Sequence, residues 1–190
     1  MSKFFKGIVF LFALLITVNG FLYFAFADHD GHKKGRSYQK RERRHSEHNG
    51  EKNLPLVTNS TYKENCGACH FAYQPQLLPS DSWSKILREC SDHFGETFDL
   101  DPEPKKIIGE YLKANAADFS SSKLSARFLR SLGGENPKRI TDIPCIRRYH
   151  HEIGQDVLKR EAIGSLSNCV ACHTTAEKGI YDDDDVKIPK

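Results

Sequence analysis

Apolar positions along this chain fall into three textures. From Gly7 to Phe24 almost every residue is apolar, behind Lys3 and Lys6 and ahead of Ala25-Phe26-Ala27. From Asp28 to about Asn53 aliphatic side chains all but vanish among charges, so this stretch cannot bury enough surface to offset its ordering entropy and reads as a disordered tether. From Leu54 onward apolar residues recur at intervals of three and four, the period of short amphipathic helices. Trp83, Ile86, Leu87, Cys90, His93 and Phe94 predict a helix from Ser80 or Asp81 to His93 or Phe94, stopped by Gly95. Asp101 and Pro102 open another through Ile107, Ile108, Tyr111 and Leu112 to about Ala117. The Ser/Gly-rich stretch 120–137 holds at most a short helix near Arg127 to Leu132 and reads as a linker. Pro144 starts a helix with Ile146, His150 and Ile153 on one face and His151 on the side of Arg147 and Arg148. Further helical segments are expected from Gln155 to about Ala162 and from near Ser165. No stretch alternates as a strand would, so the fold class is mostly α with little or no sheet. The organisation reads as a leader, 1–27, a tether, 28–53, a first half, 54–119, the linker, 120–137, and a second half, 138–190.

The chemistry enters with Cys66-Gly67-Ala68-Cys69-His70, which returns about a hundred residues later as Cys169-Val170-Ala171-Cys172-His173. C-x-x-C-H is the attachment signature of c-type haem: two thiols add across the vinyl groups as thioethers, and the next imidazole binds the iron. On a turn of helix, cysteines three apart share a face, which suits the two vinyl positions on one edge of a porphyrin. Zinc ribbons and redox dithiols also use C-x-x-C. However, a ribbon separates its pairs by about 15–20 residues, and neither needs a histidine after both pairs. The expected cofactors are therefore two covalently bound haem c groups, with iron, and the short helices wrap around them.

Composition and charge fit that picture. In 190 residues, 38% hydrophobic, a protein-only core is modest, and two flat apolar cofactors enlarge what the helices can pack on. The net charge is +3, from 28 basic and 25 acidic residues. Loss of Lys3 and Lys6 with the leader, and the haem propionates, bring the mature protein near neutrality, so a nucleic-acid partner is not implied. The leader has the form of a signal peptide with an A-x-A-like cleavage site, or of an uncleaved anchor that would tie the chain to the membrane. Either places the remainder outside the cytoplasm, and in a bacterium the expected location is periplasmic. His29, His32, His45 and His48 read as part of a solvated tether rather than a metal-scavenging tail. The acidic run Asp182 to Asp185 reads as a solvated turn, with a patch for a basic partner as the alternative.

Met1 is the only methionine, which removes the Met/His ligation of many small cytochromes. Outside the tether and the two motifs the histidines are His93, His150 and His151. The face argument selects His93 and His150 as sixth ligands and leaves His151 in solvent. Pairing within each half gives His70 with His93 and His173 with His150. Closure entropy alone does not decide against crossed pairing, because doubling a loop costs only about 0.6 kcal/mol. Cys90 and Cys145 remain, as buried thiols or as a disulfide.

The order of motifs resembles the bacterial diheme cytochrome c family known as DHC. The resemblance runs from about Asn65 to Pro189 and rests on the two haem motifs with Tyr73, Pro75 and Leu77-Leu78-Pro79. It also rests on Asp92-His93-Phe94-Gly95-Glu96, on Pro144 to Ile153, and on the closing Asp184-Asp185-Val186-Lys187-Ile188-Pro189. It implies a periplasmic electron carrier with two bis-histidine haems and distal histidines at His93 and His150. It also implies partners such as a membrane b-type cytochrome or a small oxygen-binding c-type haem protein. The rival function is a haem enzyme or sensor whose iron opens to peroxide, oxygen or nitric oxide. A structural metal-binding protein using the four thiols is the third class.

Overall fold

The computed structural model describes residues 53–190, where seven α-helices alternate with short 3-10 turns. Among the described residues there is no strand, only isolated bridges joining His93 to Glu96 and His173 to Val186. The leader, 1–27, and the tether up to residue 52 lie outside the described residues. No helix among the described residues is long and apolar enough to cross a membrane.

Helix α1, Ser60–Cys66, starts where the Asn59 side chain accepts from the Tyr62 amide at 2.8 Å and ends at Gly67. A Cβ on Gly67 would collide with the Lys63 carbonyl, so only glycine lets the chain turn there. Helices α2, Ser80–Arg88, and α3, Pro102–Ala114, pack on each other through Trp83, Leu87, Ile108 and Leu112. Ile108 and Leu112 are fully buried, and burying a side chain of this size stabilises by about 1.5–3 kcal/mol. Helix α4, Lys123–Leu132, brings Phe128 and Leu132 into the same apolar cluster, and Ile143 and Cys145 join it at the start of α5, Pro144–Tyr149. The remaining helices are single turns, α6, Gln155–Leu158, and α7, Cys169–Cys172.

Several elements differ from the periodicity reading. Helix α2 ends at Arg88, because the Glu89 amide already shares the Ile86 and Lys85 carbonyls and the chain tightens into a 3-10 turn over Cys90–Asp92. His93 therefore lies beyond the helix, and Phe94 turns outward at φ 63 instead of continuing the apolar face. Helix α3 stops at Ala114, where both the amide and the side-chain Nδ2 of Asn115 donate to the Tyr111 carbonyl. Helix α4 starts earlier than expected, capped by Ser122, and ends at Gly133 in the left-handed region. The segments expected from Gln155 to Ala162 and from Ser165 contract to α6 and α7. Gly164, at φ 73, separates them.

Between the first motif and α2 runs a buried loop, Gln74 to Pro79. A buried loop is tolerated only if its backbone groups find partners. Here Trp83 Nε1 donates to the Pro75 carbonyl at 2.8 Å, Ser125 Oγ to that of Gln76 at 3.0 Å, and the Ala117 amide to that of Leu78 at 2.9 Å. This loop is a rigid floor from which the first motif projects.

Candidate haem sites

The structure brings the eight sequence-selected residues into two groups. In the first, Cys66 is the last residue of α1, while Cys69 and His70 follow in a bend rather than on a helical turn. His70 Nδ1–H donates to the Phe71 carbonyl at 2.8 Å, which leaves the Nε2 lone pair to face outward as a ligand. The His93 ring lies opposite, 6.2 Å between ring centres and 23° between planes. A short loop holds His93 there: its amide donates to the Glu96 carbonyl at 2.7 Å, the Gly95 amide reaches Asp92 Oδ1, and Phe98 packs edge-on at 5.1 Å.

In the second group Cys169 and Cys172 bracket the single turn α7. His173 faces His150 at 6.0 Å with 62° between planes. His150 closes α5, and its Nδ1–H donates to the Ile146 carbonyl at 2.8 Å, freeing Nε2 in the same way. His151 points elsewhere, exposed beside Glu152. The chain end returns to this site, the Lys187 amide donating to the Cys172 carbonyl at 2.9 Å.

These spacings test whether a haem iron fits between the rings. An imidazole nitrogen binds a metal ion at about 2 Å and the ring centre lies about 1.2 Å behind it, so two imidazoles on opposite sides of one ion have centres about 6.4 Å apart. The separations of 6.2 Å and 6.0 Å agree. Burial, then the facing His70, then Arg139 and Lys138 hold His93 below its ordinary pKa. Burial, then His150, do the same to His173 against the opposing pull of Asp183. Both are thus kept neutral, the ligating form. Burial raises the thiols of Cys66 and Cys169 to about 11. The thiolate, the form that binds zinc, is correspondingly disfavoured. Cys90 and Cys145 are buried and unbridged.

Sequence reasoning missed what ties the two groups together. Tyr73 packs on the His70 ring at 4.9 Å and its hydroxyl donates to the Ser167 carbonyl at 2.6 Å, just before the second motif. Gln74, fully buried, donates through Nε2 to the Ala176 carbonyl at 2.7 Å and accepts from the Tyr181 hydroxyl at 2.6 Å. Tyr181 in turn packs 5.7 Å from His173. Partners about a hundred residues apart leave no local sequence signal.

Residues 62–181 match the family described as dihaem cytochrome c. The chain belongs to the dihaem cytochrome c family. The diheme cytochrome c from Rhodobacter sphaeroides is 38% identical to it, the match covering 67% of this chain and 100% of that one with a TM-score of 0.59. The diheme cytochrome type c from Shewanella baltica OS155 is 36% identical, over 70% of this chain and 95% of that one, with a TM-score of 0.57. No curated protein matches. As a dihaem cytochrome c, the protein carries two covalently bound c-type haems with iron and belongs among the electron carriers.

Proposed function

We propose that this dihaem cytochrome is a low-spin, bis-histidine electron carrier of a periplasmic redox chain and not an enzyme. Cys66 and Cys69 form the thioethers of the first haem, with His70 and His93 as axial ligands. Cys169 and Cys172 hold the second, with His173 and His150. The observation that supports this most is the pair of ring separations, 6.2 Å and 6.0 Å, each matching one iron between two imidazoles. Each haem supplies a one-electron ferric/ferrous couple. The chain's part is to fix one imidazole of each pair, His70 and His150, through a ring hydrogen bond to a backbone carbonyl, to hold His93 and His173 against Phe98 and Tyr181, and to leave no position open to substrate. Ligation without methionine favours potentials below those of Met/His cytochromes. The leader supports export, and partners are redox proteins of the kind the family resemblance implies, a membrane b-type cytochrome or an oxygen-binding c-type haem protein. The test is the reduced protein's absorption spectrum with and without carbon monoxide. No change supports the carrier; a large Soret shift at either haem supports the ligand-binding rival.

A further inference from the structure

The charges of this protein are unevenly placed. Residues 121–151 hold seven lysines and arginines against two carboxylates, whereas Asp182 to Asp185 form an acidic corner beside His173. Within the basic segment one spot is built differently from a solvated charged face. Tyr149, 57% exposed, stands beside His150 at the end of α5. Arg127 reaches it from α4, Nη1 donating to the hydroxyl at 3.3 Å with the guanidinium 6.0 Å from the ring centre. Arg148 lies 5.6 Å from the same ring. Among the described residues neither arginine is in a salt bridge, in contrast to Arg147, which holds Asp142 at 2.7 Å. A bland role at a helix C-terminus would account for Arg148 alone. It does not account for a second guanidinium brought from another helix to the same exposed aromatic ring. Tyrosine and arginine are the side chains enriched among the residues that anchor protein interfaces.

We propose that Arg127, Arg148 and Tyr149 form a docking surface for an acidic redox protein, which exchanges electrons with the second haem beside His150. This rests on the electron-carrier reading and adds the place and the charge of the partner. The nearest competitor is Phe94 next to His93, on which Arg139 lies at 3.8 Å. It is the weaker site, because Phe94 is less exposed, at 38%, and neighbouring Lys138 is tied to Glu89.

The test uses the full holoprotein and reduced plant-type ferredoxin as an acidic one-electron donor. One electron leaves its iron–sulfur cluster, which is oxidised, and reduces one ferric haem; no proton or atom moves. The stopped-flow rate for the unaltered protein is expected to fall about tenfold or more as salt rises from about 0.01 M to about 0.2 M. R127E/R148E is expected to lose about tenfold at low salt and to reverse the salt trend, with R127Q/R148Q in between. R139E and D183K/D184K keep the wild-type fall with salt. An unchanged rate in R127E/R148E, a larger loss in R139E, or no salt dependence in the unaltered protein would overturn the proposal. Reduced methyl viologen, a small cation that needs no docking surface, is the control. If it reduces both haems in every variant, a ferredoxin failure sinks the docking surface alone. If it fails to reduce the unaltered protein, the electron-carrier reading fails.

Discussion

Gln74→Leu removes the one buried side chain that bonds to the segment carrying the second motif from two directions. The substitution keeps the volume nearly constant, so the cost comes from hydrogen bonding rather than from a cavity. It strips the Tyr181 hydroxyl of an acceptor at 2.6 Å and the Ala176 carbonyl of one of its two donors, the Gly179 amide remaining at 2.9 Å. A buried polar group left without its partner costs about 1–3 kcal/mol, and the Tyr181 hydroxyl is the group so stranded. In a folded unit of this size each kcal/mol moves Tm by about 3–4 °C, and a loss of about 3–12 °C follows. Guanidinium unfolding of the holoprotein, followed at the Soret band, gives the same quantity as a fall in midpoint at unchanged slope. The double variant Gln74→Leu/Tyr181→Phe sharpens the test. Removing the Tyr181 hydroxyl as well eliminates the stranded group, so the double change should cost less than the sum of the singles by about 1 kcal/mol. Strict additivity, or a loss under about 0.5 kcal/mol in the single variant, would refute the view that Gln74 staples the two haem-bearing segments.

Three further outcomes follow from the same geometry. Ile108→Ala, at a fully buried position between α2 and α3, should cost about 2–5 kcal/mol by denaturant unfolding. Gly67→Ala drives a Cβ into the Lys63 carbonyl, so intact mass of the exported protein should show a population lacking the haem at the first motif while the second is filled. The Glu89 carboxyl is held below its usual pKa by the hydrogen bond from Lys138. Because the folded value is depressed, the contact is present above the unfolded pKa and is lost as pH falls through the folded one. Carbon NMR of the Glu89 side chain should place that midpoint below the ordinary glutamate value, and Lys138→Met should return it.

What was legible in the sequence was local. C-x-x-C-H carries its chemistry within five positions, and the absence of a usable methionine narrowed the candidate sixth ligands to a few histidines. The position of His150 beside His173 was readable because α5 keeps four-residue spacing to its end, where the His150 amide donates to the Ile146 carbonyl. His93 arrives beside His70 by another route, through a 3-10 turn and a bridge to Glu96, so a helical-face argument pointed at the residue without describing its backbone. The short helices were overextended because amphipathic spacing continues past points where an Asn115 or Glu89 amide has already closed the last turn. Gln74 and Tyr181 were invisible: a buried glutamine has no periodicity, and its value depends on a partner 107 positions away.

The central claim, two bis-histidine irons paired within His70/His93 and His150/His173, has one direct measurement. The ligand planes differ, 23° apart in the first pair and 62° in the second, and low-spin ferric haem reports that angle in its electron paramagnetic resonance spectrum. The fully oxidised protein should show two low-spin signals of equal weight, an ordinary rhombic one from the near-parallel pair and a highly anisotropic one from the steeply crossed pair. His93→Ala should convert only the rhombic signal to high spin, His150→Ala only the anisotropic one, and His151→Ala neither. A high-spin signal in the unaltered protein, or a His151→Ala variant that opens a haem while His150→Ala does not, would contradict the assignment.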